Sequence, residues 1–352
     1  MRHLRLILCL MMTILLSVQG RADDGGKLNT SDVVLGHIKD SYDWHVTDIG
    51  DRHVVINLPV IVRSSTGWHV FSTARFDEDA DAKGYRHGPF DLAIATVGNN
   101  AGKIVELSDG AELLPFDISI TKTVAVLFID AAILLLCILI PARWYRKRKA
   151  SDKAPGGFTG LVEMLVSWVE ENVVKPGVGD GYEKYSPYLL TCFFFIFVCN
   201  IMGVMPFPPG GGNVTGNIAV TFFLALCTFV VTQFSGSKHY WKDIFWSDVP
   251  LALKAPVPLI PFIEFIGIFT KPFALMIRLF ANMMAGHAIA ISLSCIIFVV
   301  ATMGMGVAIG MSSLSVFMSV FMMVLEFLVC FVQAMVFTML SSIFIGLART
   351  KG

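Results

Sequence analysis

Residues 288–325 contain no aspartate, glutamate, lysine or arginine. A water-soluble fold cannot cover so long an uncharged apolar run, which exceeds the ~20 residues that cross a bilayer as a helix. The rest of the chain has the same bias. Of its 352 residues, 55% are hydrophobic and 15% charged, against about 25% charged in soluble domains. Mean hydropathy is +0.68. These values exclude a disordered chain, a disulfide scaffold and an ordinary cytosolic enzyme, and they point to a polytopic membrane protein. The formal net charge is +0, so no global field recruits nucleic acid.

The balance hides an asymmetry. Residues 23–117 hold 16 acidic and 8 basic side chains, whereas Arg143–Lys153 holds six basic and one acidic. Arg2 and Arg5 precede the apolar run Leu6–Val18, and Gly20 and Ala22 are small. This is the pattern of a secretory signal over residues 1–22, with a retained first helix as the alternative. Either reading exports the following segment, 23–120. Its stretch His53–Ser64 is rich in Val and Ile, Ser64–Gly67 resembles a turn, and Trp68–Phe76 can return as a second strand. A small, β-rich extracytoplasmic segment is expected there.

The membrane part is expected over residues 121–352. Thr123–Ala142 is the first strong span, interrupted by Asp130. The basic cluster behind it stays cytoplasmic, so the span runs out-to-in, in agreement with an exported N-terminus. Phe158–Val174 has apolar residues at helical spacing and reads as an amphipathic interfacial helix ended by Pro176–Gly181. Tyr188–Pro206 returns outward, Pro208–Gly212 turns, and Val214–Phe234 goes back in. Pro256–Ile297 and a last segment ending near Arg349 and Lys351 complete an all-α membrane domain of about five principal spans plus the interfacial helix. Gly304, Gly306 and Gly310 mark a break between the last two spans. Asp130 is expected near a membrane surface, or else contributing to water access. No internal repeat, CxxC pair, HExxH motif or nucleotide-binding loop occurs in the sequence. His37, His45, His53, His69 and His87 lack the tight spacing of a metal site and read as surface histidines. No cofactor or metal is called for.

Charges inside spans are costly and mark pathways or pairings. Glu264, Lys271 and Arg278 are spaced by seven, and Asn282 lies four beyond Arg278, so they share one helix face. His287, nine residues past Arg278, falls half a turn out of phase and ~13.5 Å further along. In the last helix Glu326, Cys330 and Gln333 share a face. Histidine exchanges protons near neutral pH, whereas arginine keeps its proton. The spacing is equally compatible with a plain structural ion pair between Arg278 and Glu326. A secondary transporter or a structural membrane scaffold also remains open.

The run Pro272-Phe-Ala-Leu-Met-Ile-Arg278-Leu-Phe-Ala-Asn282-Met-Met-Ala-Gly286-His287 resembles the signature of the a subunit of F-type ATP synthase. The final helix with Glu326 and Gln333, Pro206 closing the second span and Asn213–Thr221 opening the third are similar to that family too. The resemblance covers about residues 120–350. It implies a non-catalytic stator that forms two proton half-channels against a ring of c subunits, through helices 256–297 and 311–348. Arg278 corresponds to the family's arginine, which keeps the facing ring carboxylate ionised and blocks leakage. His287 and Glu326 occupy the paired relay positions of the outer half-channel, with acid and imidazole exchanged relative to many bacterial members. Glu264 is the candidate for the inner half-channel, and Asn282 and Gln333 are polar supports. The implied partners are the c-ring, b-type peripheral-stalk subunits, the F1 sector indirectly and the lipid bilayer. The implied setting is a bacterial inner membrane with a cytoplasmic C-terminus. Gly203 and Asn217 stand where family members often have acids.

Overall fold

A computed structural model describes residues 40–49, 52–77, 80–108, 111–146, 148, 155–205, 212–245, 259–301 and 305–349. The leader 1–22, His37, Pro206, most of the turn after it, residues 256–258, Gly304 and Lys351 lie outside them, as do the side chains of His45 and His53. The chain divides into two compact units, one of residues 1–128 and 205–212, the other of 129–204 and 213–352.

The first unit contains nine strands among the described residues. β1 (Asp43–Ile49) pairs with β2 (Arg52–Asn57). β3 (Pro59–Ser64) lies between β4 (Gly67–Ser72) and β9 (Phe116–Asp117), and β5 (Tyr85–His87), β6 (Leu92–Ala95), β7 (Ile104–Ser108) and β8 (Ala111–Leu113) form a four-stranded meander. The expected hairpin is present, with Ser64 opposite Gly67. Gly67 takes φ +127°, a conformation that favours glycine. Val60 and Val62 are fully buried while their neighbours Pro59, Ile61 and Arg63 are not, which is the period-2 signature of a strand with one face on a core. Phe71, Phe76, Leu92, Ile94 and Ile104 complete that core. Tyr42 donates its hydroxyl hydrogen to the Asp117 carboxylate at the rim. Burial, and then that carboxylate, raise the Tyr42 hydroxyl above its ordinary pKa. The buried Glu106 is satisfied by the backbone N–H and the hydroxyl of Ser65. Asp40 accepts from the backbone N–H of Thr123 and so caps the first turn of helix α1 (Lys122–Arg146).

The second unit is helical. After the body of α1 come α2 (Gly157–Val169), a π-helical turn (Glu170–Val174), α3 (Lys175–Val178), α4 (Ser186–Val204), α5 (Ile218–Ser235), α6 (Lys238–Phe245), α7 (Leu259–Ala301) and α8 (Met305–Arg349). Five described helices are long and apolar enough to cross a membrane: α1, α4, α5, and much of α7 and α8. The chain is therefore a multi-pass, mostly helical membrane protein with a stranded N-terminal region. Asn217 caps α5 by accepting from the backbone N–H of Ala219.

The core is an aromatic and aliphatic seam. Phe193 on α4 is fully buried and meets Phe331 of α8 edge-to-face at 6.0 Å, a favoured ring geometry. Val169, Val174, Leu189, Leu275, Leu279 and Ile345 join it. The opposite faces are apolar and exposed, as at Leu135 and Leu136 on α1, Phe222 and Phe223 on α5 and Phe317 and Phe327 on α8. Lipid tails solvate such faces, so the helices need no second core there.

Two punctuation signals of the sequence fall beside helix ends. The interfacial helix ends inside Pro176–Gly181, as expected, after a π-helical turn and a last helical turn to Val178. Proline lacks the N–H of an ordinary helical bond, and the wider turn accommodates that loss. Gly179, at φ +74°, follows as the C-cap. α7 ends at Ala301 and α8 begins at Met305, so the expected break lies there, with Gly306 and Gly310 already inside α8. Their ~1 kcal/mol propensity cost is small beside the hydrogen bonds a helix must keep in lipid. α7 has 43 residues, about 65 Å at ~1.5 Å each. That is about twice the hydrocarbon thickness, so α7 is strongly tilted or projects beyond the core.

Candidate functional site

The polar stripe expected on α7 exists as a face. Glu264, Lys271, Arg278 and Asn282 are all exposed, while Leu275, Leu279 and Met283 point into the protein and are almost fully buried. The seven-residue spacing has therefore kept one charge family on the side of α7 that this chain leaves uncovered. Arg278 makes no hydrogen bond or ion pair with another described residue. Phe269, Phe273 and Ile277 on the same helix are also exposed.

His287 turns toward α8. Its Nδ1 is 3.3 Å from Oε1 of Glu326, with the two side chains 17% and 8% exposed. That separation is an ion-pair distance, slightly longer than a good N–H···O hydrogen bond, and Glu326 Oε1 has no hydrogen-bond partner. The plain ion bridge between Arg278 and Glu326 is thus not what forms: the acid meets the imidazole, and the arginine stays outside. Gly286 makes the approach possible, since a Cβ there would lie 2.8 Å from Glu326 Oε1.

On α8, Glu326, Cys330 and Gln333 are all buried, and Ser315 and Ser319 extend the same line. Ser315 donates to the carbonyl of Leu293 on α7. These two serines were missed as sequence signals. The spacing of four between the serines and of seven from Ser319 to Glu326 was the available clue. Further polar atoms gather around the same helices. Asn200 of α4, fully buried, donates to the Cys330 carbonyl at 3.3 Å and accepts from the Thr215 hydroxyl at 2.7 Å. Asn213 donates at 3.5 Å to the carbonyl of Met283, one turn before His287.

Asp130 is 1% exposed, and its carboxylate faces the Cys199 thiol of α4. Lys271 lies 5.9 Å from the ring of Phe344 and lines a crevice with Thr228, Thr232, Gln233 and Tyr240. Glu264 is exposed one helical stretch before it. Among the described residues no cluster of three or more His, Cys, Asp or Glu could hold a metal ion.

The chain is similar to known proteins over most of its helical part. The family model described as ATP synthase A chain matches residues 124–346, and a domain of unknown function (DUF8433) matches residues 33–123. ATP synthase subunit a 2 of Chlorobaculum tepidum is 46% identical over 67% of this chain and 65% of its own length. ATP synthase subunit a of Chloroherpeton thalassium is 44% identical over 66% of this chain and 67% of its own. The Anaeromyxobacter dehalogenans subunit a is 38% identical over 68% and 60%. The matched region spans about two thirds of those relatives. With most of the membrane part inside the family match, the chain belongs to the ATP synthase A chain family.

Proposed function

We propose that the chain is the stator a subunit of an F-type ATP synthase, forming two proton half-channels against a c-ring and coupling proton flow to rotation. The observation that supports this best is the division of labour on α7 and α8. A permanent cation sits on an uncovered apolar face, and a titratable acid–imidazole pair sits inside.

A guanidinium facing a passing ring carboxylate lowers that carboxylate's pKa by ~1–3 units at ~4–6 Å, favouring release of its proton. Because arginine does not deprotonate, protons cannot hop through it from one passage to the other. His287 and Glu326 pass protons between the outer half-channel and the ring. Gln333 is a polar support on the buried face of α8, and Asn282 one beside Arg278. Glu264 leads the inner half-channel, toward which the Lys271 crevice opens. Residues 1–22 act as a removable signal, 23–120 as an extracytoplasmic domain and 121–352 as the membrane domain. The setting is the bacterial inner membrane, with the C-terminus cytoplasmic. The c-ring, b-type stalk subunits, the F1 sector indirectly and lipid are the partners. ATP chemistry resides on other subunits, so the chain is not itself an enzyme.

Arg278→Ala in the assembled complex tests this reading. ATP-driven proton pumping by membrane vesicles is expected to vanish while assembly survives. Unchanged pumping would overturn it.

A further inference from the structure

Asp130 is a buried charge in a membrane span that the mechanism above leaves unused. It lies eight residues into α1, about 12 Å from the start of that helix. At 1% exposure it is sealed within protein, with no nitrogen or oxygen donor on either carboxylate oxygen and only the weak thiol donor of Cys199 beside it. A buried ionised carboxylate without a partner costs several kcal/mol, which water or a proton must relieve. Glu326 Oε1 also lacks a hydrogen bond, but it has His287 Nδ1 at 3.3 Å.

The surroundings of both acids form one polar region. Asp130 faces Cys199, the residue before Asn200 on α4, and both are fully buried. Asn200 reaches the carbonyl of Cys330, one turn beyond Glu326, and Thr215 at the entry to α5. Asn213 reaches the carbonyl one turn before His287. Buried polar groups spread over several helices are where ordered water settles, since each water needs about three such partners. α4 ends and α5 begins at this level, the same side as the start of α1 in the proposed topology.

We propose that Asp130 is a proton-exchanging carboxylate of the outer half-channel, placed between the aqueous entrance and the His287–Glu326 pair. Its oxygen accepts a proton from hydronium on the entrance side and returns it to water on the inner side. Only O–H bonds form and break. The proposal rests on the stator reading, and the test separates the two.

Three variants of the whole complex are compared in inverted vesicles. Asp130→Asn, nearly isosteric, is expected to lower ATP-driven pumping about tenfold. That is less than the ~10² of an obligatory proton-transfer group, because water can bypass one relay member. Asp130→Glu is expected to keep most of the rate, which a packing role would not favour. Arg278→Ala is the reference. Native pumping by Asp130→Asn beside a dead Arg278→Ala overturns the inference alone, and native pumping by both overturns the stator reading. Should the Asp130 variants fail to assemble, the unaltered protein decides. Ag⁺ applied to the outer face is expected to block later alkylation of Cys199 in the denatured chain. A Cys199 that remains fully alkylatable overturns the inference.

Discussion

The carboxylate of Glu326 occupies the space that a side chain on Gly286 would need, with Oε1 2.8 Å from the position of a Cβ there. A glycine in a helix costs about 1 kcal/mol relative to alanine. Here it allows the close approach of α8, so that the next residue, His287, reaches Glu326 at 3.3 Å.

Gly286→Ala should therefore separate stability from function. The helix gains its missing propensity, but the carboxylate must move by a few tenths of an ångström or more. Chain abundance in membranes is expected to hold while proton pumping falls several-fold. Equal pumping at equal abundance would show that the fit is unimportant.

The His287–Glu326 contact predicts reciprocal rescue. His287→Glu and Glu326→His each leave two like groups facing one another, and two carboxylates at this distance cannot both ionise easily. The double exchange restores one acid and one imidazole. Pumping in the double variant is expected to exceed that of either single variant. A product of the two single losses would argue against a shared relay.

Near the end of α8, Gly346 packs on the backbone carbonyl of Gly177, and Gly177 on Ser342. Ser342 donates to the carbonyl of Val173 in the π-helical turn. Neither neighbour of Gly346 is a flexible side-chain end. Gly346→Val is expected to cost about 1–3 kcal/mol, as overpacking does. The thermal midpoint of the detergent-solubilised chain should fall accordingly, and an unchanged midpoint would refute the close crossing.

In the N-terminal region, Asp81 accepts from the backbone N–H groups of Tyr85 and Lys83 and contacts His87. The Tyr85 N–H first, and then His87, hold its carboxyl below the ordinary 3.8. A lowered folded pKa means stability that is present above the unfolded value and lost as pH falls through the folded one. The stability difference between the wild type and Asp81→Asn should thus be constant above pH ~5 and shrink toward strong acid. Limited proteolysis of the full chain across that range measures it. A difference that grows on acidification would contradict the sign.

Much of the architecture was legible before any coordinates. A span of 18 or more apolar residues has one solution in lipid, a helix with all its backbone bonds made internally. The exposed stripe of Glu264, Lys271, Arg278 and Asn282 followed from a spacing of seven, and the inward turn of His287 from a spacing of nine. The hairpin at Ser64–Gly67 followed from its turn residues. Local punctuation was legible to within a few residues: the interfacial helix stops at Gly179, inside Pro176–Gly181, and α7 gives way to α8 between Ala301 and Met305, just before Gly306.

The sequence by itself determined which residues share a face of each helix, because one helix has a single internal period. It could not determine how helices are rotated against one another, since that depends on the fit of side chains from distant parts of the chain. Tertiary structure decided that Glu326 meets His287 rather than Arg278, that Gly286 makes room for it, and that Asp130 lies sealed against Cys199.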